Sequence, residues 1–225
     1  MSRGSDDFAA LRRDFARRAG LDVASSELFG DREASYRRGV PSVPAGFHRI
    51  ADGMDIAIGG RRWRVIVGKG HAPELACLYC AENGVLISAD QVLPKISPNI
   101  SLQPHEPDGD PLSLYLASLA RLRALVPAET LVLPSHNLPF FGLHTRIDEL
   151  MLHHEARCGE ILDALTRPKS AVDLVPVLFR RPLDPHQTAF ALGEALAHLR
   201  YLEGRGEVAR RRGVDGVDYF TLAGH

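Results

Sequence analysis

The chain predicts an α+β fold, and three observations carry that prediction. Between residues 55 and 88, four short β-prone runs succeed one another with glycine-bearing turns between them. Residues 112–126 and 147–203 instead place leucines at helical spacing. Two further β-prone runs close the chain after residue 206. Strand-like and helix-like stretches are largely segregated, which is the α+β pattern rather than a regular alternation.

The elements follow in order. Residues 6–19 read as an amphipathic helix, with Phe8, Leu11 and Phe15 spaced for one face and Arg12, Arg13, Arg17 and Arg18 on the others. Gly20 is placed to end it. Residues 23–45 are polar and pass into GVPSVPAG, which is loop punctuation. The strands expected next are Asp55–Ile58, Trp63–Val67, Ala76–Cys80 and Val85–Ser88, with turns at Gly59-Gly60 and Glu82-Asn83-Gly84. Leu112, Leu116, Leu119, Leu122 and Leu125 form the stripe of a helix over 112–126, and Thr130–Leu133 returns to strand. Ile147–Leu165 is then a long helix, broken by Pro168. Ser170 with Asp173 has capping-box spacing and opens a short helix to about Phe179. Pro182 and Pro185 interrupt again. His186–Glu203 follows, carrying Leu192, Leu196, Leu199 and Leu202 on one face and stopping at Gly204. Glu207–Arg210 and Asp218–Leu222 flank the turn Val214-Asp215-Gly216. The change of pattern at Ile147 divides the chain into domains 1–146 and 147–225.

The bulk numbers bound the classes. With 225 residues, 45% hydrophobic and 24% charged, the chain is long enough for one large domain or two small ones. A net charge of −1 gives no general attraction to nucleic acid or an anionic membrane. No apolar run approaches the ~20 residues that span a bilayer, and the N-terminus lacks the apolar core of a signal peptide. Cys77, Cys80 and Cys158 are three cysteines. The first two have C-x-x-C spacing but sit within a strand-like run, where residues three apart point to opposite faces. Reduced thiols and a cytoplasmic location are expected.

The residues with chemistry are His71, Asp90 and His136. Each follows a β-prone run directly, in VIVGKGHAPE, VLISADQV and TLVLPSHN. Imidazole and carboxylate are zinc ligand types that also fit iron and manganese. Their wide separation in sequence means that such a site is assembled by the fold, at the tips of neighbouring strands. Three ligands can hold one metal and leave a position open for water.

The segments GHAPELACLYCAENGVLISADQVLPKISPNIS and LVLPSHNLPFFGLHTRIDEL resemble the C-terminal half of metallo-β-lactamase-fold hydrolases, in the branch that carries a winged-helix tail. The resemblance runs from about Ile56 to the C-terminus. It implies the C-terminal half of an αββα sandwich followed by a winged-helix-like domain. It also implies that His71 binds one metal, His136 a second, and Asp90 bridges the two. The family's His-x-His-x-Asp-His cluster occurs nowhere in the sequence, and the resemblance places Met1-Ser2 just downstream of it. Leu75 stands where the family often has another histidine. Weak metal binding and impaired hydrolysis of an ester, thioester or similar acyl compound are therefore expected. The alternative is a non-catalytic remnant serving binding or dimerisation.

Other candidates are weaker. His144, Lys95 and Asn99 are read as substrate contacts, each against an equal reading as loop structure. His153 and His154 are adjacent on a helix and cannot point the same way. Arg205, Arg210, Arg211 and Arg212 cluster near the terminal hairpin. Residues 166–225 nevertheless hold 9 Arg or Lys against 7 Asp or Glu, so packing or homodimerisation is the expected role of the tail, with no membrane and no nucleic acid as partner.

Overall fold

The computed structural model describes residues 3–22, 24–25, 40, 42 and 45–224. Most of the 23–45 loop expected from sequence, and His225, lie outside the described residues. The chain forms two compact units that interleave along the sequence. One comprises Met1–Phe47, Ser101–Gly109 and Arg157–His225, and the other His48–Ile100 and Asp110–Ala156.

The second of these is built on a five-stranded sheet. Its strands are β1 (Asp55–Ile58), β2 (Arg61–Gly68), β3 (Leu75–Cys80), β4 (Val85–Ala89) and β5 (Leu131–Pro134), in spatial order β1-β2-β3-β4-β5. The first four pair antiparallel, β2 and β3 through the six-residue loop 69–74, whereas β4 and β5 run parallel. Gly59 and Gly60 both take positive φ, 58° and 76°, as a type I′ hairpin turn requires. The parallel crossover from β4 to β5 contains helix α2 (Pro111–Leu125), capped by the Asp110 carboxylate on the Ser113 N–H. On one sheet face Ile66, Cys77, Leu86 and Val132 are at most 2% exposed. The other face carries Val65, Leu78, Ile87 and Leu133, of which only Val65 is fully buried.

Helix α2 buries Leu112, Tyr115, Leu119 and Leu122. Tyr115 thus takes the place expected of Leu116, because its hydroxyl reaches the Gln91 carbonyl at 3.2 Å. Leu125, expected in the stripe, is 46% exposed. Helix α3 (Leu143–Ala164) starts four residues before the expected Ile147. The Cys77 thiol is pushed up to about 12 by burial. Cys77, Cys80 and Cys158 are all buried and unbridged.

The other unit is helical with a terminal hairpin. Helix α1 (Arg3–Arg18) ends in a Schellman motif: Gly20, at φ 100°, donates to Arg17, and Leu21 donates to Ala16. Phe15, Ala16 and Ala19 carry its burial, while Phe8 and Leu11 are more than a third exposed. Helix α4 (Ala171–Leu178) has the expected capping box of Ser170 and Asp173. Helix α5 (Pro185–Gly204) corrects two boundaries. Pro185 is its first residue, where proline's missing N–H costs nothing, and Asp184 with Gln187 forms a second capping box. Its stop is Gly206 at φ 73°, not Gly204, because Gly206 donates to Glu203 and Glu207 to Leu202. Leu192, Leu196, Leu199 and Leu202 are all buried as expected.

Strands β6 (Val208–Arg212) and β7 (Asp218–Leu222) make the hairpin. Lys169 and Phe220 exchange both backbone hydrogen bonds, at 3.1 and 2.8 Å, which ties the start of α4 to β7. The Asp218 carboxylate, 7% exposed, accepts from Arg18 at 3.0–3.1 Å and also from Arg212.

These packing details set predictions for four substitutions. Leu199→Ala should cost about 2–5 kcal/mol and Ser170→Ala about 1 kcal/mol, read as ordered falls in thermal midpoint. Burial pushes the Asp173 carboxyl up, but hydrogen bonds from the Ser170 N–H and hydroxyl outweigh it and hold it below the usual carboxylate range. Its stabilisation is therefore complete above the ordinary carboxylate value and lost as pH falls through the lowered one. Asp173→Asn should accordingly destabilise most near neutral pH, with the gap from the parent closing in acid; a gap that is constant with pH would overturn this. Gly70, at φ 98°, has Tyr115 Cβ only 2.4 Å from where its own Cβ would stand, and the Pro111 carbonyl oxygen 2.6 Å away. Gly70→Ala should lower the midpoint by more than Ser170→Ala, since backbone strain of about 1–3 kcal/mol adds to a clash.

Candidate metal centre

His71, Asp90 and His136 all lie in the sheet unit, each just past a strand end. The structure brings them together. His71 Nε2 stands 3.6 Å from one Asp90 carboxylate oxygen, and His136 Nε2 stands 3.4 Å from the other. Both gaps exceed the usual 2.7–3.2 Å of a hydrogen bond.

Local backbone geometry aims each group. Strand β4 ends at Ala89, a non-glycine residue at φ 47°. That turn swings Asp90 out of the sheet. It is held by the Gln91 N–H on the Ser88 carbonyl at 3.0 Å and by the Ser88 hydroxyl on the Val92 carbonyl at 2.9 Å. The Ser135 N–H donates to the Ala89 carbonyl at 3.1 Å, locking the ends of β4 and β5 together. His136 follows directly, and Asn137 takes φ 70°. His71 sits behind the Gly70 turn. Its Nδ1 lies 2.9 Å from the Asn99 carbonyl oxygen. A carbonyl only accepts, so Nδ1 carries a proton, and in the neutral ring Nε2 keeps the lone pair that faces Asp90.

Contrary to the expectation from sequence, the strand ends are not all neighbours. Strand β3 separates β2 from β4. Gln91 closes that gap. Its side-chain amide donates to the Lys69 carbonyl at 3.4 Å, and its backbone carbonyl accepts from Tyr115. The carboxamide lies against Gly68, where any Cβ would fall 2.2 Å from Oε1. Sequence reasoning missed Gln91 and Tyr115. The adjacency of Gln91 to Asp90 was the available signal. Arg146 was missed as well. Its Nε and Nη2 donate to the carbonyls of Leu93 and Ile96 at 2.6 and 3.1 Å, pinning the loop after Asp90.

The remaining candidates are placed as follows. Asn99 meets His71 through its backbone carbonyl. Lys95 is exposed. The His144 ring, expected toward substrate, instead has Nε2 2.8 Å from the Val126 carbonyl at the end of α2, which assigns that nitrogen a structural bond. His154 is fully buried with its ring edge-on to Tyr115, centroids 5.5 Å apart, and His153 meets it at 5.2 Å.

These donors fit part of a divalent-metal shell. Asp90 Oδ1 is buried without a hydrogen-bond partner, although His136 stands 3.4 Å from it. A polar atom left so is costly unless a cation or water serves it. The fit is incomplete: among the described residues no group of three or more His, Cys, Asp or Glu is set closely enough to hold a metal ion by itself. The geometry is two imidazole–carboxylate pairs sharing Asp90.

Known proteins bear on the same residues. The family model for the metallo-β-lactamase superfamily matches residues 10–136, and that for a metallo-β-lactamase-like C-terminal domain matches 158–223. A β-lactamase domain protein from Burkholderia ambifaria is 46% identical, with a TM-score of 0.88 over 97% of this chain and 63% of its own. A metallo-β-lactamase family protein from Thermus thermophilus is 31% identical, with a TM-score of 0.80 over 98% and 66%. The chain thus spans just under two thirds of the length of these two solved relatives. No curated protein matches it. Among the described residues no helix is long and apolar enough to cross a membrane. With more than half of its length matched by the family model and nearly all of it superposing on a relative of 46% identity, the chain belongs to the metallo-β-lactamase superfamily.

Proposed function

We propose that the chain is a metal-dependent hydrolase acting on an ester, thioester or similar small acyl compound, with His71, Asp90 and His136 as its metal ligands and its activity impaired as the sequence stands. One observation carries this reading: the two oxygens of a single carboxylate are each faced by a different imidazole nitrogen. Zinc is the metal proposed, and iron and manganese suit the same donors. A bound divalent ion would act there as a Lewis acid and bring water toward deprotonation near neutral pH.

The protein's own groups have defined tasks in this reading. His71 presents Nε2 because Nδ1–H is held by the Asn99 carbonyl. Asp90 would supply the negative charge, with one imidazole facing each of its oxygens. Lys95 is the exposed cation of the following loop and is proposed to meet an anionic part of the substrate, and Asn99, on the same loop, is proposed as a second substrate contact. The half-buried apolar face of Leu78, Ile87 and Leu133 supports the αββα reading, since a second layer would cover it. The helices and hairpin from 147 onward are proposed as a winged-helix-like domain, with a separate family model over 158–223 in support, although the compact unit that holds them also takes in residues 1–47 and 101–109 and begins at Arg157, not at 147.

A second reading, a non-catalytic binding or dimerisation module, is favoured by the open geometry, in which two pairs share Asp90 without closing into one cluster. Nucleic acid is not the proposed partner of the tail. Arg210 pairs with Asp108 and Glu203, Arg212 with Asp218, and Arg205 with Glu207, so three of the four clustered arginines already face carboxylates. A small molecule is the proposed partner, in a cytoplasmic setting.

Calorimetric titration with zinc should show binding that is weak or below one ion per chain, because the donors form two pairs sharing Asp90 and not one closed cluster. It should vanish in Asp90→Ala and fall in His71→Ala and His136→Ala. Tight binding of two ions, or binding indifferent to Asp90, would refute the assignment. Duplex DNA at moderate salt should give no electrophoretic shift; a shift would return the tail to nucleic-acid binding.

A further inference from the structure

We propose that the two loops flanking the His71–Asp90–His136 site form an apolar rim that binds the hydrocarbon part of a small acyl compound, in preference to short or highly charged ligands. The inference rests on the hydrolase reading for its setting but on different residues for its evidence.

Three large apolar side chains are exposed on the loops that follow Asp90 and His136. Leu138 and Phe141, in the loop that begins at His136, are 79% and 69% exposed, and Ile96, in the loop that follows Asp90, is 52% exposed. Exposed apolar groups scattered singly need no explanation, but a set gathered at a site marks a binding surface.

Ordered backbone holds them there. Val132 and Phe140 exchange both backbone hydrogen bonds, at 2.8 and 3.0 Å, closing the loop between them. Phe140 is half-buried and serves as its anchor. Asn137 at φ 70° and the fixed φ of Pro139 set the path in between. Arg146 then joins this loop to the other. Its backbone N–H donates to the Gly142 carbonyl at 3.0 Å, while its guanidinium holds the carbonyls of Leu93 and Ile96. One arginine therefore fixes the backbone beneath Ile96 and the end of the Phe141 loop together.

The charge pattern agrees. Across 91–101 and 135–142, Lys95 is the sole Lys, Arg, Asp or Glu. A ligand reaching the donors along these loops would pass apolar groups and one cation. That suits a hydrocarbon chain carrying a carbonyl or carboxylate at its end. The rim's continuity with His136 and Asp90 favours a small molecule over a second copy of the chain as occupant.

The test is calorimetric titration of the whole chain with octanoate and with acetate, in the presence of a chelator. Octanoate should bind saturably and at least about tenfold more tightly than acetate. A Leu138→Ser/Phe141→Ser double variant should lose at least about tenfold of that affinity, with its thermal midpoint unchanged, because both side chains are exposed. Equal binding of the two acids, or full retention in the variant, would overturn the proposal. So would sedimentation showing a dimer that dissolves in the variant while octanoate fails to bind, which would make the rim a contact between copies. The readout needs no metal. Failure here therefore leaves the ligand assignment to its zinc titration, and failure there leaves octanoate binding standing.

Discussion

The candidate centre depends on how strand β4 ends. Because β4 and β5 run parallel, the residues that leave them do so at the same edge of the sheet. Ala89 then enters the left-handed region, where a residue with a Cβ costs about 1–3 kcal/mol. Three hydrogen bonds around it, from Ser135, Gln91 and Ser88, offset that cost. Without the turn, Asp90 would continue the alternation of the strand. With it, the carboxylate stands between two imidazoles. The irregularity in the β4–β5 register between Ile87 and Ala89 is the same event seen in the pairing.

The electrostatic consequence follows. His71 is held as the tautomer whose Nε2 accepts, by a bond from its far nitrogen to a backbone carbonyl. A carboxylate and an accepting nitrogen facing one another both seek something positive. Asp90 Oδ1, buried and without a hydrogen-bond partner, has the same need. The arrangement favours a cation between the groups without closing a full shell around it.

Much of this was legible in the sequence, for specific reasons. Period-two and period-3.6 patterns located the strands and helices within a few residues, because Gly59-Gly60 and Ser170 with Asp173 mark their turns and caps by residue type. The meeting of His71 and His136 at Asp90 was legible because each of the three follows a β-prone run. What escaped depends on contacts between distant segments. The leucine pattern alone favoured Leu116 over Tyr115, since nothing local shows that a hydroxyl will meet the Gln91 carbonyl. Gly204 and Gly206 are equally good stops on paper; only the hydrogen bonds to Leu202 and Glu203 choose between them. Pro185 looks like a breaker until Asp184 is seen to cap the helix that it opens. That β3 lies between β2 and β4 is a matter of topology, and so is the need for Gln91 to bridge it.

The two units each contain a carboxylate shared between two basic partners, and the contrast between them is instructive. Asp218 is nearly buried and takes hydrogen bonds from both Arg18 and Arg212, whose charge is permanent. That contact is closed: every participant is bonded, and it ties helix α1 to the hairpin. At Asp90 the partners are imidazoles, which are neutral or charged according to their surroundings. They stop at 3.4 and 3.6 Å, and Asp90 Oδ1 is left without a hydrogen-bond partner. A group meant only to hold the fold gains from completing its bonds. Holding donors apart at strained strand ends, with their orientation fixed from behind by Asn99 and Gln91, leaves the front of the site for a ligand instead. On that ground the metal site is proposed at the Asp90 cluster, not at the better-bonded Asp218 cluster.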